Sequence, residues 1–106
     1  MVSFKEFQSL DLRVGKILSV DSVPNADKLY KLSVNMGDKK ITLVAGLRPY
    51  YKPEEMKGKK IIVVTNLDPV ILKGVKSEGM LLAAQEGEKV SLLTVDKDVK
   101  PGSKVS

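Results

Sequence analysis

The chain has 106 residues, and 18 Lys plus Arg against 13 Asp plus Glu give it a net charge of +5. Its 42% hydrophobic content fills one core and not two. With no Cys and no His, disulfides, thiolate nucleophiles, Cys/His zinc sites, imidazole bases and a Ser-His-Asp triad are excluded. No apolar run approaches bilayer length, and Val2-Ser3-Phe4-Lys5-Glu6 lacks the apolar stretch of a secretory signal. These features predict one soluble, cytoplasmic domain over residues 1–106.

Ser3 and Glu6 fit a capping box, and Phe4, Phe7 and Leu10 share one helical face, which predicts a short helical turn within residues 1–10. The period then changes to two. Leu10, Leu12 and Val14 alternate with Asp11 and Arg13, and Gly15 predicts a bulge or bend before Leu18 and Val20. Tyr30, Leu32, Val34 and Met36 alternate with Lys31, Ser33 and Asn35, the pattern of a strand with one wet face. That parity puts Tyr30 in the core. Gly37-Asp38 turns the chain into a third strand carrying Ile41, Leu43 and Ala45. Pro53, Glu54, Glu55 and Gly58 are placed as in a short helix. Lys60–Leu67 follows as a strand buried on both faces, closed by Asp68-Pro69. Met80–Ala84 and Val90–Val95 are further strands about a turn containing Gly87, and residues 96–106 form a C-terminal strand or tail. A small sheet of this length buries its apolar face by curling shut. The helix between strands three and four predicts an all-β, five-stranded Greek-key barrel, the OB-fold, over an SH3-like barrel.

The chemistry of the chain points to binding. Glu54 and Glu55 diverge on their helix, and Asp96 and Asp98 near the end are read as solvated. Gly74 and Gly79 lack the Lys-Ser/Thr that would complete a phosphate loop. We therefore expect no catalytic site, metal or cofactor. The positive charge is almost all lysine, since Arg13 and Arg48 are the only arginines. Lysine makes point contacts to phosphate, so backbone and shape recognition is favoured over reading of a duplex groove.

Two segments carry more than a fold requires. In Pro24-Asn25-Ala26-Asp27-Lys28-Leu29 the turn explains Pro24, Asn25 and Asp27. It leaves Lys28 to meet a phosphate and Asn25 to offer its amide to a base edge. In Lys73-Gly74-Val75-Lys76-Ser77-Glu78-Gly79-Met80, read as a loop leading into a strand, Lys73, Lys76 and Ser77 suit phosphate or base. Met80 is either core or a soft contact for an unstacked base.

These segments, with Asp11-Leu12-Arg13-Val14-Gly15-Lys16-Ile17, Val44-Ala45-Gly46-Leu47, Tyr51-Lys52-Pro53-Glu54-Glu55-Met56 and Ser77-Glu78-Gly79-Met80-Leu81-Leu82-Ala83-Ala84, occur in an order that resembles a known family. It is the tRNA-binding domain of methionyl-tRNA synthetase C-termini and beta subunits, shared with endothelial monocyte-activating polypeptide. The resemblance runs from about Phe7 to Val105. It implies an OB-fold that binds tRNA by shape and raises a synthetase's hold on tRNA without catalysis of its own. It implies a homodimer, with the catalytic subunit of methionyl-tRNA synthetase as a partner. Its tRNA-contacting positions carry over as Asn25, Lys28, Ser77 and Met80, with Arg13 and Lys16 as basic positions of the same surface. Glu78 is expected to order its loop. Dimerisation is expected through Phe4, Phe7 and the C-terminal strands. Whether the domain stands alone or is an appendage is left open. The competing reading is a dimeric, peptide-binding OB-fold of the secretion-chaperone type. The intact Pro-Asn-Ala-Asp-Lys segment and the polar face of strand two favour tRNA.

Overall fold

Ser3 opens a helix as its sequence context predicts. In the computed structural model, which describes Met1–Ser106, α1 (Phe4–Gln8) begins with the reciprocal bonds of a capping box. Glu6 N–H donates to Ser3 Oγ at 3.1 Å, and Ser3 N–H donates to Glu6 Oε1 at 3.2 Å. The helix buries none of its residues.

Strands β1 (Leu12–Ser22), β2 (Tyr30–Asn35) and β3 (Lys40–Ala45) then form an antiparallel meander. The alternation of β2 is realised: Tyr30, Leu32 and Val34 are buried, and Lys31 is exposed. Gly15 has a different role from the one its sequence suggests. The register shift of β1 lies between Ile17 and Ser19. A Cβ at Gly15 would sit 2.6 Å from Val34 Cγ1 and 2.7 Å from Met36 Sδ. The glycine is a packing requirement, and the bulge comes after it.

Helix α2 (Pro53–Met56) follows, with the Glu55 carboxylate accepting the Lys52 N–H at 2.7 Å and Met56 fully buried beneath the barrel wall. β4 (Lys60–Val64) pairs with the other edge of β1, and Ile61 to Val64 are all buried, as a continuous apolar run predicts. It stops at Val64, short of the expected Leu67, because the next side chains turn to other partners. The Thr65 hydroxyl donates to the Asp11 carboxylate. Asn66 accepts the Asp11 N–H at 2.9 Å and donates to the Ser9 carbonyl at 2.7 Å.

The segment read as a loop is a hairpin. β5 (Val70–Leu72) and β6 (Val75–Ser77) pair across Lys73-Gly74, whose φ values of 49° and 80° are both positive. That is the signature of a type I′ turn, matched to the twist of the strands it joins. The expected strand Met80–Ala84 divides. β7 (Met80–Leu81) pairs with β4, whereas β8 (Ala83–Glu86) leaves the barrel to pair with β9 (Lys89–Leu92). Residues 96–106 return as β10 (Lys104–Val105), opposite Leu12 and Arg13 of β1.

The sheet order β3-β2-β1-β4-β7 leaves two edges, and they meet. Glu78 N–H donates to the Thr42 carbonyl at 2.8 Å, and Val44 N–H donates to Ser77 Oγ at 3.0 Å. The segment β6–β7 thus completes the wall as the fifth barrel strand, with α2 between the third and fourth: the OB-fold arrangement. Ile17, Leu32, Leu43, Met56, Ile61 and Val63 fill the interior. Tyr30 belongs to this core, and its hydroxyl donates to the Tyr51 carbonyl at 2.7 Å. The Tyr51 hydroxyl accepts the Leu92 N–H at 3.1 Å and ties the β8–β9 hairpin to the barrel.

Candidate nucleic-acid interface

The register of β2 decides which basic side chains meet. Lys31 is opposite Val44, and Val44 is bound through its N–H to Ser77, the neighbour of Lys76. Lys31 and Lys76 accordingly flank one cleft of about 350 Å³ with Thr42, Gly74, Val75 and Glu78. Just before β2, the Lys28 carbonyl accepts the Arg48 N–H at 3.4 Å, and Arg48 Nη1 donates to the Ala26 carbonyl at 3.2 Å. Lys28, Lys31, Arg48 and Lys76 are exposed. Lys73 stands at the tip of the β5–β6 turn beside them. Only Arg13 and Lys60, of all 18 basic side chains, are in ion pairs. A set of unpaired cations along one strand edge creates a field that attracts a polyanion.

The expected site residues divide on this surface. Asn25 is exposed in the Pro24–Leu29 segment with φ 62°, a conformation asparagine tolerates better than most residues. Met80 is 48% exposed, so it is available to a ligand and is not core. Ser77 is different: it is 6% exposed, accepts from Val44 N–H and donates to the Gly79 carbonyl at 3.0 Å. Its hydroxyl is occupied in closing the barrel. Glu78 also serves the fold, accepting the Thr42 N–H at 2.7 Å. Lys16 lies opposite Asn35, at the far end of β2 from Tyr30 and from Lys28, which precedes the strand; the five residue steps from Tyr30 to Asn35 alone span about 17 Å at the usual rise per residue. It lines a separate cleft with Lys60, Asp96 and Asp98. Asp98 is paired with Lys60, whose hydrogen bond and charge hold its carboxyl below the usual value. Arg13 is tied to the fold, with Nε bonded to Asp11 at 3.0 Å and Nη1 to the Gly102 carbonyl at 3.3 Å.

Lys31 and Arg48 stand on this surface although no motif in the sequence marks them. The parity of strand two marks Lys31 as exposed, so a signal existed. Nothing local places Arg48 beside Lys28.

The family model described as "Putative tRNA binding domain" matches residues 12–104. The chain belongs to this family. It is 58% identical over 104 residues to the methionine–tRNA ligase of Pyrococcus furiosus, covering 98% of this chain and 14% of that ligase. It therefore spans about a seventh of that relative's length. The crystal structure of a MetRS related protein from Pyrococcus horikoshii superposes with a TM-score of 0.94 at 36% identity, over 100% of this chain and 98% of that one. A CsaA chaperone from Picrophilus torridus superposes with a TM-score of 0.92 at 36% identity, over the whole of both chains. No helix is long and apolar enough to cross a membrane.

Proposed function

We propose that this domain is a non-catalytic tRNA-binding module that increases the hold of methionyl-tRNA synthetase on tRNA, as a beta subunit or C-terminal appendage. The observation that carries the reading is the convergence of Lys28, Lys31, Arg48 and Lys76, none of them ion-paired, at one end of the β2–β3 face. Point charges of this kind recognise phosphate position and hence shape. Lys73 extends the surface, and Met80 and Asn25 offer it one apolar and one amide contact.

The module acts as a homodimer. Phe4, at 74% exposed, and Ile71, at 71%, are large apolar side chains left bare by the monomer. Asn66 ties the end of α1 to the segment that leads into β5, which supports one shared apolar surface. Patches of this kind mark association sites.

A titration with mixed tRNA and with duplex DNA of equal length, at two salt concentrations, tests the reading. Preference for tRNA with little difference among tRNAs is expected. Equal binding of both, collapsing with salt, would reduce the surface to a generic basic one. It would bring forward the peptide-binding reading that the CsaA likeness favours.

A further inference from the structure

A second cleft adjoins the basic one, and its chemistry is different. It has a volume of about 580 Å³ and shares Glu78 with the Lys31–Lys76 cleft. Met36 and Ile41 form its nearly buried apolar floor, and Asp11, Arg13, Asp38, Lys39 and Glu78 stand around it. Three acids against two bases make it a poor seat for phosphate. It suits the uncharged part of a nucleotide, and its volume is within the range of small-ligand pockets.

The walls are built. A Cβ on Gly37 would lie 2.6 Å from the Pro101 carbonyl oxygen, and one on Gly102 would lie 2.7 Å from the Met36 carbonyl oxygen. The β2–β3 turn and the C-terminal segment cross at a distance that only glycine permits. The Arg13 guanidinium is fixed between Asp11 and the Gly102 carbonyl, yet its side chain stays 39% exposed. The bonds from Nε and Nη1 fix the plane of the group and do not use its flat face. Arginine faces stack unpaired bases, and this barrel offers few exposed aromatic rings for the purpose. Glu78 Oε1 and the Asp38 carboxylate accept no hydrogen bond, so each is free to accept from an amino group.

We propose that this cleft receives an unpaired, amino-bearing base of the bound RNA, stacked on Arg13, while Lys31 and Lys76 hold the adjoining phosphate. The proposal rests on the tRNA-binding reading and adds a base-binding subsite to it.

The four methionines make the test possible. Met36 reports on the cleft and fully buried Met56 on the core. In methyl-labelled wild-type protein, tetra-adenylate should shift the Met36 resonance and leave Met56 in place. Tetra-uridylate should need at least fivefold higher concentration. Arg13→Lys keeps the charge and loses the flat face, so affinity for tetra-adenylate should fall at least fivefold with an unchanged salt slope. A Met36 signal unmoved by tetra-adenylate, or moved equally by both oligonucleotides, overturns the proposal without any variant. If tRNA still binds in that case, only the base subsite fails. If neither RNA binds, the tRNA-binding reading fails with it.

Discussion

The hydroxyl of Ser77 bridges two strands that share no ladder: it accepts the Val44 N–H at 3.0 Å while donating to the Gly79 carbonyl at the same distance. Ser77→Ala therefore strips partners from two part-buried backbone groups. Leaving buried polar groups unsatisfied costs about 1–3 kcal/mol. Urea unfolding should show a lower midpoint with an unchanged slope, and tRNA affinity should fall less than stability does. A variant as stable as wild type but defective in tRNA binding would return Ser77 to direct RNA contact.

Lys28, Lys31 and Lys76 act through charge. Each alanine substitution should weaken tRNA binding and reduce the slope of log K against log salt by roughly one ion. Lys16→Ala, at the other end of β2, should have a smaller effect than any of the three. Equal losses for all four lysines would mean that the domain binds through its whole surface.

Acid should weaken the start of β1. The Thr65 hydroxyl first, and then Arg13, hold the Asp11 carboxyl below its usual 3.8, against the burial that works to raise it. A carboxyl with a lowered folded value stabilises the protein above its unfolded value and loses that contribution as pH falls through the folded one. The stability advantage of wild type over Asp11→Asn should thus be complete at neutral pH, begin to shrink as pH falls below 3.8 and vanish once it is below the lowered folded value. Midpoints that differ by the same amount at pH 7 and in strong acid would contradict this origin.

Gly15→Ala places a methyl group against Val34 and Met36. Overpacking of this kind costs about 1–3 kcal/mol. Thermal unfolding should report the loss, and pairing it with Met36→Ala should recover part of it. A neutral Gly15→Ala would mean that the interior relaxes more freely than its close contacts suggest.

Phe4→Ser and Ile71→Ser remove apolar surface that no part of the monomer covers. Sedimentation equilibrium should show a wild-type dimer at roughly tens of micromolar protein, a dissociation constant that corresponds to about −6 to −7 kcal/mol, and a shift toward monomer in either variant. A wild-type monomer under those conditions would remove dimerisation from the proposed function.

What the sequence disclosed was local. The alternation through Tyr30, Leu32 and Val34, the apolar run Ile61–Val64 and the Ser3–Glu6 capping box each depend on neighbours in the chain, and each is realised. The β5–β6 hairpin was hidden because its turn uses Lys73, not glycine or asparagine, at the first positive-φ position. Strand β4 ends early because Thr65 and Asn66 bind residues more than 50 positions away, which no periodicity reveals. The site divides likewise. Lys28 and Lys76 are legible as basic residues in unusual segments, whereas the commitment of Ser77 and Glu78 to β3 exists only in the closed barrel.

Val105 lies opposite Leu12, on the same strand edge where the barrel begins. A polypeptide that enters the barrel there also leaves it there, so the domain can hang from a longer chain as a pendant on two adjacent cords. The basic rim around Lys28 and Lys76 belongs to other strands and is left clear of the two cords. Circular permutation exploits the same closeness: a short bridge from β10 to β1, with a new opening between Lys73 and Gly74, would keep every strand pairing of the barrel wall.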